Sequence, residues 1–143
     1  DGDWGDDLAE VRGTPIEVND DLTRRVIAAI IRVHQTLGPG FIESVYHRAL
    51  TVELKRVGIL FSTEHELEIR YEGELVGIHR LDLLVDGQLI IELKAIEELT
   101  KAHYSQLRSY LKAANLSVGL LVNFSKDKAD YRRVTLSGPR SGR

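Results

Sequence analysis

Arg80-Leu81-Asp82-Leu83-Leu84-Val85-Asp86-Gly87-Gln88-Leu89-Ile90-Ile91-Glu92-Leu93-Lys94-Ala95 decides how this chain is read. It is two alternating runs joined at Asp86-Gly87. In an extended chain successive side chains point to opposite faces, so Glu92 and Lys94 share one face and Ile91, Leu93 and Ala95 the other. The first run places Leu81, Leu83 and Val85 on one side and Asp82 and Leu84 on the other. A two-residue Asp-Gly turn pairs Val85 with Gln88 and sets Asp82 against Ile91, mixing charge with core. A three-residue connection, with Gly87 at positive φ and a bulge, sets Leu83 against Ile91, Leu81 against Leu93 and Asp82 beside Glu92. The longer turn is predicted because it alone segregates the acids from the apolar side chains.

Two close carboxylates repel unless a cation lies between them, and all-oxygen ligation suits Mg²⁺ or Mn²⁺ better than Zn²⁺. Such a cation polarises a phosphoryl oxygen and activates water, while Lys94 orients that water or neutralises developing charge. That is phosphodiester hydrolysis chemistry. Taken alone the hairpin leaves a second reading open, the charged outer face of an antiparallel sheet with one wet side.

Composition narrows the classes. A chain of 143 residues, 43% hydrophobic and 29% charged, fits one globular domain. No run approaches the ~18 apolar residues of a membrane span, and the acidic start lacks a signal-peptide pattern, so no membrane partner and a cytoplasmic location are expected. Without cysteine there is no disulfide, thiol nucleophile or zinc-thiolate site. The chain is −3 overall; its first twenty residues hold seven acids and one base, net −6, and the remainder is therefore +3. A mildly basic body tolerates a polyanionic substrate.

Working outward, residues 1–20 are expected to be a disordered acidic leader, 21–136 the domain and 137–143 a disordered tail. Asn19, Asp20 and Asp21 are cap candidates for a helix over about 21–37, with Leu22, Val26, Ile30, Val33 and Leu37 at helical spacing and His34 on the flank of that stripe. Gly38-Pro39-Gly40 stops it. A second helix follows over about 42–57, with Glu43 and Tyr46 stacked on its core-facing side and Glu43 in the first turn, where the helix dipole favours an anion. Strands are predicted over 66–71, 75–85 and 88–95. A helix over 100–114 presents Leu99, His103, Leu107, Tyr110 and Ala114 to the sheet, with Gln106 and Tyr110 sharing a side. Val118–Phe124 reads as a buried strand added in parallel through that helix, and Tyr131–Leu136 as an edge strand.

This order, helix, helix, three antiparallel strands, helix, strand, resembles the αβββαβ core of the PD-(D/E)XK nuclease-like superfamily, a restriction-endonuclease-like α/β fold with a mixed central sheet flanked by helices. Leu37-Gly38-Pro39-Gly40-Phe41-Ile42-Glu43-Ser44-Val45-Tyr46 resembles the GxxExxY family within it, with Gly40, Glu43 and Tyr46 at the named positions. Val33-His34, Arg80–Leu84, Ile91–Ala95 and Val118–Phe124 look like that family too. The resemblance covers about residues 22–136. It implies that Asp82 and Glu92 bind a Mg²⁺ or Mn²⁺ ion with the backbone carbonyl of Leu93, that Lys94 serves the attacking water, and that Glu43 adds a third acid. Gln106 and Tyr110 resemble the glutamine and tyrosine that assist the site in the RecB-like branch, and His34 resembles a histidine used there as a manganese ligand.

The expected activity is a metal-dependent nuclease acting on nucleic acid, DNA ahead of RNA. The alternative is a non-catalytic nucleic-acid or protein-interaction module on the same scaffold, which needs no divalent ion. A small-molecule phosphohydrolase is a third class. The outer strands leave pairing with a second copy, a homodimer, open.

Overall fold

The computed structural model describes residues 19–136. The expected leader, apart from Asn19 and Asp20, and the expected tail lie outside the described residues. Helix α1 (Asp20–Leu37) is started by Asn19, whose side chain accepts from the backbone N–H groups of Asp21 and Leu22 at 2.7 and 3.3 Å. Asp20 thus opens the helix rather than ending a leader. Gly38, at φ +71, closes α1, and helix α2 (Glu43–Arg56) follows. Then come β1 (Phe61–Tyr71), β2 (Glu74–Val85), β3 (Leu89–Lys94), α3 (Lys101–Ala114), β4 (Val118–Asn123) and β5 (Asp130–Thr135).

The five strands form one sheet in sequence order. Three junctions are antiparallel, while β3 and β4 run parallel, with α3 as the crossover. Helices cover both faces. On one side Val26, Ile30, Tyr46, Leu50 and Leu54 of α1 and α2 pack on Leu83, Val85, Ile91, Leu93 and Val122. On the other, Leu107, Tyr110 and Leu111 of α3 pack on Leu67, Leu81, Ile90 and Leu121. His103 does not face the sheet as predicted: its Nδ1 accepts from the Thr100 backbone N–H at 2.9 Å and closes a capping box at the start of α3.

The hairpin register is the predicted one. Leu83 pairs with Ile91 and Val85 with Leu89 across a three-residue connection, in which both Asp86 and Gly87 take positive φ. Two features differ from the expectation. β1 begins at Phe61, five residues before the predicted start, because Phe61–Thr63 pair with Leu83–Val85 although their own side chains do not alternate cleanly. Second, the β2–β3 ladder ends at Leu83 and Ile91, so Leu81 is not paired with Leu93. Leu81 packs under α3, whereas Leu83 and Val85 pack under α1 and α2. Strand β2 therefore switches faces at Asp82. Opposite that point β1 holds Glu64 at φ +55, a left-handed residue inside a strand. Both strands of the hairpin are bent at the same level.

Candidate active site

The bend opens a gap between β2 and β3, and Asp82 fills it. Its Oδ2 accepts from the backbone N–H of Leu93 at 2.8 Å, taking the place of the next ladder partner. The Asp82 side chain thus bridges the two strands where they part, rather than standing on one face beside Glu92. Helix α2 supports it from below: Nε2 of His47 donates to the backbone carbonyl of Asp82 at 3.0 Å.

Glu92 is buried, at 7% exposure, and points to the α3 side of the sheet with the half-buried Lys94. Its carboxyl feels Asp82 more strongly than any other charged neighbour. Burial foremost, and then the charge of Asp82, push its pKa up to about 8, while Lys94 draws it down. At neutral pH the Glu92 carboxyl therefore keeps its proton. Glu92 Oε2 is buried with no hydrogen-bond partner.

Glu43 lies in the first turn of α2, exposed to solvent, and feels Asp82, Lys94 and His47 electrostatically. Partial burial, followed by the Asp82 charge, raises its pKa. Among the described residues no three His, Asp or Glu side chains stand close enough to hold a metal by themselves. The expected convergence of three acids on one ion is thus reduced to the Asp82–Glu92 pair with Glu43 at its margin.

Leu93 contributes through its backbone. The N–H and C=O of one strand residue point to the same side. Since the Leu93 N–H meets Asp82 and the neighbouring Lys94 carbonyl accepts from Phe124 on the β4 side at 2.9 Å, the Leu93 carbonyl faces the gap. Two carboxylates and one carbonyl, with an oxygen left unsatisfied in a buried place, fit Mg²⁺ or Mn²⁺. Mg²⁺ in particular binds through one or two carboxylates and keeps several waters.

The supporting residues separate into two groups. Tyr110 lies near the carboxylates: burial, then the charges of Glu92 and Asp82, push its phenol up to about 12. Its hydroxyl meets His79 Nδ1 at 3.0 Å and the rings stack at 3.9 Å. Gln106 is exposed one turn earlier on α3. Tyr46 and His34, in contrast, hold the framework. The Tyr46 hydroxyl donates to the Gly38 carbonyl at 2.6 Å and accepts from the Phe41 N–H at 3.2 Å, and its ring stacks on Phe124 at 4.4 Å. His34 Nε2 donates to the Lys126 carbonyl at 2.7 Å, tying α1 to the segment after β4, and its ring stacks against Phe124 at 6.1 Å.

Sequence reasoning passed over His47 and His79. His47 was findable, since it follows Glu43 by four residues and so shares its flank of α2. His79 was concealed by the face switch, which places it with Leu81 under α3. Burial depresses its pKa, and its Nε2 is buried without a partner.

Comparison with known proteins agrees with this architecture. The family model for the PD-(D/E)XK nuclease superfamily matches residues 20–134. No curated protein matches the chain. Among solved structures, the crystal structure of SSO0001 is similar at 23% identity with a TM-score of 0.48, covering 64% of this chain. The match spans 48% of that protein's length, a likeness too slight to bear on the site. A three-layer α/β/α unit, an αβββαβ order and a family match over nearly all the described residues agree, and the chain belongs to the PD-(D/E)XK nuclease superfamily.

Proposed function

We propose that this chain is a Mg²⁺- or Mn²⁺-dependent nuclease of the GxxExxY type that hydrolyses phosphodiester bonds in nucleic acid. The observation that carries the reading is the pairing of half-buried Asp82 with buried Glu92, set where β2 and β3 part, with Lys94 on the Glu92 face. Asp82, Glu92 and the Leu93 carbonyl would hold the ion. When bound, the ion supplies Lewis-acid polarisation of the phosphate and lowers the pKa of water.

The chain's own groups do the rest. Glu92 must release its proton before it serves as a ligand, and the nearby Lys94 ammonium favours that release. Lys94 then donates hydrogen bonds to the attacking oxygen and to the phosphoryl oxygens as negative charge develops on them. Glu43, whose raised pKa leaves it ready to take a proton, lies where it can orient water from the α2 side. His47 fixes the backbone of Asp82, and the Tyr110–His79 stack walls the α3 side.

The test is an assay on single- and double-stranded DNA and RNA with Mg²⁺, Mn²⁺ or chelator. Cleavage with either ion, none in chelator, and a loss of about two orders of magnitude or more in Lys94→Ala support the proposal. Ion-independent cleavage, or Lys94→Ala cutting as fast as the parent, refutes it.

A further inference from the structure

Helix α2 carries a polar stripe on the side turned from its core face. Ser44, Arg48, Thr51 and Lys55 recur at the alternating four- and three-residue steps that put side chains on one helix flank. Ser44, Arg48 and Lys55 are exposed and Thr51 is half-buried. Among the described residues neither the Arg48 guanidinium nor the Lys55 ammonium has an ion-pair partner. The cations on the α1 side of the helix are, in contrast, engaged within the fold. Arg56 pairs with Glu53 at 2.8 Å, Arg32 of α1 reaches the same carboxylate at 3.5 Å, and Arg25 of α1 donates to the Val57 carbonyl at 2.7 Å. Glu53 is thus turned to α1, and from Ser44 to Lys55 the stripe holds no acid.

The stripe starts at the candidate site. Ser44 follows Glu43, which feels the charges of Asp82 and Lys94, and Arg48 follows His47, whose Nε2 donates to the Asp82 carbonyl at 3.0 Å. At about 1.5 Å per residue, Arg48 lies about 7.5 Å and Lys55 about 18 Å from Glu43 along the helix axis. A strand of stacked nucleotides advances about 3.4 Å per phosphate, so the two cations match phosphates about two and five nucleotides from a bond held beside Glu43.

We propose that this flank of α2 holds the phosphate backbone of one substrate strand, on one side of the bond that is cut, with Arg48 and Lys55 as its two phosphate contacts. The proposal rests on the nuclease reading of the Asp82–Glu92 site. Two cations without partners, on a flank without acids, suit a polyanion, and the Glu43 end joins that flank to the carboxylates. The Arg48 fork meets two phosphoryl oxygens at once, while Lys55 acts as a point charge. Neither contact reads a base, so the stripe gives affinity and orientation without sequence preference.

The experiment measures binding of labelled single- and double-stranded oligonucleotides to a Glu92→Gln background with and without Arg48→Ala, Lys55→Ala or both. Cleavage at a mapped bond, and of a small phosphodiester, is measured for the same substitutions on the parent chain. Alanine at exposed helical positions keeps the helix secure. The double substitution should weaken binding about tenfold and reduce the slope of log affinity against log salt by about 1.4 on a single strand or about 1.8 on a duplex, two phosphate contacts' worth. Lys55→Ala should slow cleavage of strands that reach about six nucleotides or more to either side of the bond and spare those that reach about three, while Arg48→Ala slows both. Small-diester cleavage should be unchanged. Unaltered affinity and salt slope in the double variant, or a Lys55→Ala loss equal on long and short strands, overturns the backbone contact while leaving the catalytic reading intact. Stripe-dependent binding without any hydrolysis by the parent overturns the catalytic reading and leaves the contact.

Discussion

At the scale of single residues, the decisive group is the Glu92 carboxyl, which keeps its proton beside Asp82. The usual carboxylate value is 4.5, and burial beside Asp82 moves Glu92 to about 8. Between those values the folded chain binds a proton that the unfolded chain has released, so folding stability falls as pH rises through that window. Below about 4.5 both states are protonated and the penalty is absent; above about 8 it is fully present and constant. Urea unfolding in chelator across this range should therefore show a declining midpoint, and Glu92→Gln, which cannot ionise, should flatten it. Mn²⁺ should oppose the decline in the parent by taking the proton's place. A midpoint that rises with pH in the parent would mean that Glu92 is stabilised as an anion. The acids and Lys94 were legible from alternation and the turn. The two histidines were not, because contacts to a backbone carbonyl and to a phenol leave no periodic trace in sequence.

At the scale of elements, the bend in the β1–β2 hairpin makes the gap. Glu64 occupies φ +55, where a left-handed backbone costs about 1–2 kcal/mol for most side chains and little for glycine. Glu64→Val should lower stability by about that amount, and Glu64→Gly should hold or raise it, as read by denaturant midpoints. Equal effects of the two would show that the backbone there is not left-handed. The loop before α2 works in the same way through Tyr46, whose hydroxyl joins Gly38 to Phe41. Tyr46→Phe should cost about 1 kcal/mol and lower turnover by loosening the turn that presents Glu43. A drop in stability without any change in turnover would remove Glu43 from the working site. The order and register of the strands could be read from the sequence, since one buried face fixes register. The start of β1 could not. Its pairing is decided by β2, and a residue at positive φ breaks the alternation on which strand prediction depends.

At the scale of the whole molecule, the sheet brings together groups from α2, β2, β3 and α3 that lie far apart in sequence. Its parallel β3–β4 pair returns the chain so that α3 covers Glu92. Among the described residues no helix is long and apolar enough to cross a membrane. The fold was readable because eight elements, three helices and five strands, could each be placed in order from the sequence. What the sequence could not convey was how nearly the third acid approaches the other two, because the placement of α2 against the bent hairpin is set by packing around Tyr46 and Phe124. The central claim is that one divalent ion sits in the gap between β2 and β3. Anomalous diffraction from a crystal soaked in manganese tests it most directly. The account predicts a peak in coordination contact with carboxylate oxygens of Asp82 and Glu92 and with the Leu93 carbonyl, absent in Asp82→Asn/Glu92→Gln. A gap without a peak at saturating manganese, with the Leu93 N–H to Asp82 hydrogen bond intact, would contradict it.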